Sequence, residues 1–115
     1  MHELSIAMSI VEIAEEESAR RGGLQVTAVH LRLGLLAGVV RDALLSSYEL
    51  ASAGTRVAGS TLVVEEVPGV VYCSACKVPR AARAPDSFCC PECGAIASKI
   101  VGGKELEVVS LEISE

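Results

Sequence analysis

Apolar and polar positions change their period along the chain, and each change marks an element. From Leu4 to Arg20 the period is helical: Ser5, Ser9, Glu12 and Glu16 make one polar stripe, with Leu4, Ala7, Met8 and Val11 to one side and Ile6, Ile10 and Ile13 continuing around. That apolar arc is wider than one packing contact requires; the first expectation is tight packing on a sheet, and the sharper alternative is a surface for a partner or a second copy of the chain on the remaining side. Arg20 and Arg21 suit the negative end of the helix dipole, and Gly22-Gly23 stop the helix. Val26 to Leu33 alternates, with Thr27, Val29, Leu31 and Leu33 on one face and Ala28, His30 and Arg32 on the other, which predicts a half-buried strand. His30, on the Arg32 face, reads as a surface residue rather than a metal ligand. Val39 to Ala53 returns to the helical period through Val40, Leu44, Tyr48 and Ala51, and Gly54 ends it. Thr61 to Val67 is a second strand closed by Pro68-Gly69. Leu106 to Ser114 is a last one, with Val109, Leu111 and Ile113 expected inward and a break of phase at Val108-Val109.

The strand-helix-strand order predicts a right-handed crossover. The whole reads as an α+β fold: two helices on a small mixed β-sheet, with an inserted four-cysteine zinc-ribbon module. Pro68-Gly69 and Gly102-Gly103 flank the insertion. The expected division is a domain of residues 1–69, completed by a C-terminal strand over 103–115, and a zinc-binding module over 70–102.

Composition narrows the function. Half of the 115 residues are hydrophobic, yet there are only two Tyr, one Phe and no Trp, so the core has to be aliphatic. No apolar run approaches the ~20 residues of a membrane span. The first segment carries Glu3, Glu12 and Glu15 to Glu17, unlike a basic-then-apolar signal peptide, and the expectation is a soluble, cytoplasmic protein. Of the net charge of −5, the segment Val70–Gly102 contributes +2 through Lys77, Arg80, Arg83 and Lys99 against Asp86 and Glu92. The remainder at −7 does not invite a phosphate backbone.

All five cysteines lie between Cys73 and Cys93. Cys73-Ser-Ala-Cys76 and Cys90-Pro-Glu-Cys93 form two C-x2-C turns thirteen residues apart. A two-residue gap lets both sulfurs of a turn face one ion, and two such turns supply the tetrahedral sulfur shell of a structural zinc site. The module is too small to bury a core, so a metal substitutes for one. With all four positions filled by cysteine no place is left for water, which argues against catalysis by this zinc. Gly94 suits the turn after Cys93, whereas Lys77 stands in the matching place after Cys76. Cys89 is surplus: Cys90 has the favoured gap to Cys93, so Cys89 is assigned as free, the alternative being a redox-sensitive or exchanging ligand.

Met1-His2-Glu3-Leu4 opening a helix, Leu33-Gly34, Ala53-Gly54-Thr55, Leu62-Val63-Val64-Glu65-Glu66, the paired C-x2-C turns and Gly102-Gly103-Lys104-Glu105-Leu106 follow one another in this order. Over essentially its whole length the chain resembles the hydrogenase nickel-incorporation proteins of the HypA/HybF family. It departs from the pattern at Lys77, where glycine is usual, at Cys89, and at Ala95, where serine is frequent. The resemblance implies a non-enzymatic metallochaperone whose transient cargo, nickel(II), is held by the amine of Met1, the backbone nitrogens of His2 and Glu3 and the His2 imidazole. It implies structural zinc(II) on Cys73, Cys76, Cys90 and Cys93. It implies as partners a maturation GTPase of the HypB type and the large-subunit precursor of a nickel–iron hydrogenase; the homodimer alternative comes from the apolar arc of the first helix. A planar set of four nitrogens suits nickel(II) or copper(II), and its amides must lose protons to bind.

Two other functions compete. A zinc-ribbon nucleic-acid-binding regulator would use Arg80 and Arg83 with Phe88 as a stacking base platform. A thiol-redox enzyme would use one C-x2-C pair, but that motif belongs at a strand-to-helix junction, not in a turn-rich insertion. No phosphate loop, G-x-S-x-G or H-E-x-x-H occurs.

Overall fold

The computed structural model describes residues 2–85 and 87–114. The described elements run α1 (Glu3–Arg20), β1 (Val26–Gly34), α2 (Arg41–Ser52), β2 (Thr61–Val67), β3 (Val70–Cys73), β4 (Val78–Ala81), β5 (Lys99–Gly102) and β6 (Leu106–Ile113). Two three-stranded sheets form, one in the order β2-β1-β6 and one in the order β4-β3-β5. The chain divides into two compact units, residues 1–31, 39–64 and 108–115, and residues 32–38 and 65–107.

The first sheet is mixed. At the start of β1, Gln25 O accepts the N–H of Ser114, and at its end Gly34 N–H donates to Glu105 O at 2.7 Å, so β6 runs antiparallel to β1. On the other side the Val26 N–H meets Arg56 O and the Leu35 N–H meets Val67 O, so β2 runs parallel to β1. The parallel pair needs a crossover, and α2 supplies it.

The core of the first unit is aliphatic, as the composition requires. Ala7, Ile10, Val11 and Ala14 of α1 and Leu44 and Tyr48 of α2 close on Val26, Val29 and Leu31 of β1, Leu62 of β2 and Val57. Alanines at positions 7 and 14, both fully buried, let α1 approach its neighbours closely. The sequence left open which part of the apolar arc is buried, and the structure leaves Leu4, Met8 and Ile13 about half exposed, at 48%, 58% and 49%. Two buried serines are satisfied locally, Ser18 by donating to Leu24 O and Ser52 by donating to Glu49 O. Gly22 and Gly23 take φ of 84° and 78° and end α1 as read from the sequence.

In β6 the phase differs from the expectation. Val108, Leu111 and Ile113 pack on the core, while Val109 is 47% exposed. Positions 108 and 111 share a face only if the two-residue alternation slips by one, which locates the expected break and sends Val109 outward.

In the second unit, β3 pairs antiparallel with β4 through Val70↔Ala81 to Cys73↔Val78, and with β5 through Tyr72↔Lys99, with an irregularity between Val70 and Val71. Three glycines crowd at its base. Gly34 lies against Gly103, which takes φ 98° and lies in turn against Gly69. A Cβ on Gly34 would run into the Gly103 carbonyl and stand 2.8 Å from the Glu105 amide nitrogen, whereas one on Gly102 would meet nothing within 4 Å. Gly34→Ala is therefore expected to destabilise the protein by about 3 kcal/mol, the upper end of overpacking costs, because the obstacle is backbone. Gly102→Ala should leave the urea midpoint within ~0.5 kcal/mol of wild type; equal midpoints for the two variants would contradict the close approach.

Candidate metal centres

Cys73 closes β3, and the chain turns at once into β4. The turn is fastened by the Lys77 N–H donating to Cys73 O at 2.7 Å, and the Cys76 N–H points at the Cys73 sulfur at 3.3 Å. The second turn repeats this construction: the Gly94 N–H donates to Cys90 O at 2.9 Å. Both turns need a left-handed residue after the second cysteine. Gly94 takes φ 79°, and Lys77 takes φ 60° as the only non-glycine with positive φ among the described residues. The second turn is held at its base by the Cys90 N–H to Ala95 O and by a bridge between Cys89 and Ile96.

The turns bring four sulfurs together. The Sγ atoms of Cys73, Cys76, Cys90 and Cys93 all lie within 4.8 Å of one another, with Cys73–Cys93 at 3.5 Å and Cys76–Cys90 at 4.0 Å. A tetrahedral site with zinc–sulfur bonds of about 2.3 Å has edges of about 3.8 Å, so the arrangement fits a zinc shell of four thiolates. Cys73 and Cys90 are buried, Cys76 is half-buried and Cys93 is exposed. Cys89 is exposed and stands outside the group.

The proton equilibria show what gathering these thiols entails. Backbone N–H groups of Cys93 and Glu92 hold Cys90 down to about 6. The Cys76 N–H lowers Cys73 in the same way. An N–H from Ala95 favours the Cys93 thiolate, but the neighbouring thiols of Cys73 and Cys90 outweigh it and push Cys93 up to about 12. Like charges in one site cannot all form unaided, and a divalent cation removes that obstacle.

Arg80, counted in the sequence among the basic residues of the ribbon, sits on β4 with its guanidinium beside the thiols of Cys76 and Cys90, whose negative forms keep it charged. Arg83 donates to the Pro91 carbonyl at 3.2 Å. Neither role is legible from residue type, because both depend on how β4 and the second turn meet.

At the amino terminus, Met1 lies outside the described residues. His2 is the exposed residue capping α1, and its carbonyl accepts the first helical bond, from the Ile6 N–H. Glu3 is more than a first-turn acid. Its carboxylate accepts the backbone N–H of Val40, the residue capping α2, at 3.1 Å, and this bond holds the carboxyl below its ordinary value. The tie is formed above the ordinary glutamate range and is lost as acid protonates Glu3. Sequence could not find it, since the partner is a backbone amide 37 residues away. His30 is elsewhere, with Nε2 at 2.6 Å from Glu112 and in no metal-ligand cluster among the described residues.

Comparison with known proteins gives one consistent result. The family model described as "Hydrogenase/urease nickel incorporation, metallochaperone, hypA" matches residues 1–113. A hydrogenase maturation factor HypA of Roseiflexus sp. (strain RS-1) is 55% identical, covering 100% of this chain and 94% of that relative. One of Geobacter metallireducens is 42% identical over 98% of this chain and 99% of its own length. The solution structure of the nickel metallochaperone HypA from Helicobacter pylori superimposes with a TM-score of 0.65 at 22% identity, covering 98% of this chain and 97% of that one, a likeness of fold.

Lys77 offers a direct test of the turn geometry. A left-handed backbone costs a side-chain-bearing residue about 1–2 kcal/mol, and glycine loses about half of that gain to the entropy of its unfolded chain. Lys77→Gly is expected to stabilise the metal-loaded protein by about 0.5–1 kcal/mol in denaturant titration; a loss of stability would contradict the positive φ.

Proposed function

The chain belongs to the HypA family of hydrogenase/urease nickel-incorporation metallochaperones, and from that premise we propose that it holds nickel(II) at its amino terminus for hydrogenase maturation while zinc(II) stays in the cysteine cage. The cargo ligands are the Met1 amine, the backbone nitrogens of His2 and Glu3 and the His2 imidazole. Cys73, Cys76, Cys90 and Cys93 hold the zinc. Residues 1–69 with 103–115 serve nickel, and residues 70–102 form the zinc module.

The observation that carries this reading is the cap of α1. His2 caps the helix and Ile6 is the first residue to bond back, so the amides of His2 and Glu3 are spent on no helical hydrogen bond. A metal can take those nitrogens without unravelling a turn. The positive end of the helix also favours the negative charge of a deprotonated amide. The Glu3–Val40 bond ties down the first turn of α1, and His2, which carries the imidazole, is exposed. Nickel is released by exchange to a receiving protein: the nickel–nitrogen bonds break and the backbone amides regain from water the protons they lost on loading.

The receiving partners in this reading are the hydrogenase large-subunit precursor and a HypB-type GTPase, in the cytoplasm. Among the described residues no helix is long and apolar enough to cross a membrane. The half-exposed Leu4, Met8 and Ile13 give α1 an apolar outer side on which a partner or a second copy can dock. The nucleic-acid reading loses its basic residues: Arg80 faces thiols and Arg83 serves the Pro91 carbonyl.

Acetylating the amino terminus, or replacing His2 with alanine, is expected to abolish tight nickel binding in calorimetric titration while one equivalent of zinc stays bound. Undiminished nickel affinity in either form would overturn the terminal site, and loss of zinc along with nickel would show that the two sites are one.

A further inference from the structure

Arg80 lies directly opposite Val71 in the β3–β4 ladder. Opposed residues of an antiparallel pair share a face, and so do alternate residues of a strand. Arg80 therefore projects on the same face as Val71 and Cys73, into the side of the hairpin that carries the sulfur group. Its Nε is fully buried and has no hydrogen-bond partner. A buried N–H without an acceptor costs about 1–3 kcal/mol, and an arginine is not retained in such a place for packing alone. The sulfur group of Cys73, Cys76, Cys90 and Cys93 offers acceptors on that side, and the sulfurs that act on the guanidinium are those of Cys76 and Cys90. They belong to different turns, and their Sγ atoms lie 4.0 Å apart.

We propose that Arg80 is the positioning residue of the cysteine cage: it clamps one thiolate from each turn, Cys76 and Cys90, and leaves the exposed Cys93 as the ligand at which the cage opens. This rests on the reading that the four cysteines hold a divalent metal. Four thiolates on such an ion carry a net charge of two minus, and one guanidinium halves it. The planar fork can donate to two sulfurs at once, which an ammonium cannot. Donation draws electron density from Cys76 and Cys90, so these two become poorer nucleophiles and harder to protonate. Cys93 is the exposed member of the four. The site is thereby lopsided, with three ligands sheltered by burial or by Arg80 and one facing water.

The test uses the full-length protein with Arg80→Gln and Arg80→Lys. Outer partners of metal ligands are typically worth 10–100-fold in affinity, so Arg80→Gln should weaken zinc at least ~10-fold in chelator competition, and Arg80→Lys should recover part of that loss. With zinc saturating, timed alkylation mapped by mass spectrometry should label Cys93 first in wild type, and Arg80→Gln should raise labelling of Cys76 relative to Cys93. Cobalt(II) gives a readout of the sulfur shell itself: its thiolate charge-transfer band should appear in wild type and shift in Arg80→Gln. Wild-type affinity and labelling order in both variants would overturn the clamp, as would a uniform rise at all four cysteines. Should Arg80→Gln take up no metal, Arg80→Lys decides: partial recovery supports the clamp, and no recovery overturns it. Absence of the cobalt band in wild type would instead remove the metal cage and the clamp with it.

Discussion

Repulsion among four ionisable sulfurs gathered within 4.8 Å of one another is the constraint on which the cysteine segment depends, and one divalent cation would relieve it. Among the described residues between 70 and 102, the fully buried hydrophobic side chains are Val71, Cys73 and Cys90, and two of those three are members of the sulfur group. That segment by itself has too little apolar area to hold three short strands together. The two turns are built so that backbone N–H groups aim at the thiols, which lowers Cys90 and Cys73 but leaves Cys93 raised. In the proposed reading an ion completes the cage, so that its binding free energy counts as folding free energy of the two turns.

The amino terminus solves the opposite problem. A carrier must hold its cargo and then let it go, so its donors must stay open to a second protein. An exposed helix start meets both needs: its first amides have no helical partners, and a receiving ligand can approach from solvent. The fold contributes stiffness through the close packing of α1, where Ala7 and Ala14 are fully buried, and through the Glu3 carboxylate on the Val40 amide. In the proposed reading coordination chemistry separates the two metals: soft sulfur in a closed shell suits zinc, and nitrogen at an open end suits a square-planar ion in transit.

Much of the fold was readable because the signals are local. The bounds of β2, Thr61–Val67, coincide with the strand read ahead of Pro68-Gly69, and the Gly22-Gly23 stop of α1 is a matter of glycine's own freedom. The C-x2-C spacing was sufficient to pair the sulfurs within each turn, since a two-residue gap has few conformations that bring both sulfurs to one side. Family resemblance added the terminal tripeptide, which is too short to stand on spacing alone. The side of α1 that is buried was left open by the sequence, because apolar residues surround much of the helix and side-chain size does not tell which arc meets the sheet. The structure chose the arc with the two alanines, where backbones come closest. In β6, Val108 and Val109 are equivalent in type, and only the slip of register against β1 sent Val109 outward.

The sequence by itself determined the period of each element, the aliphatic character of the core and the pairing of four cysteines into two turns. These follow from residue type and near spacing, which act over one turn or one strand. The tertiary structure alone decided that Glu3 ties to Val40, that Arg80 faces two thiols from different turns, and that Gly34 must lack a side chain beside Gly103. Each of those is a meeting between segments far apart in the chain, and no local preference encodes a distance that only packing sets.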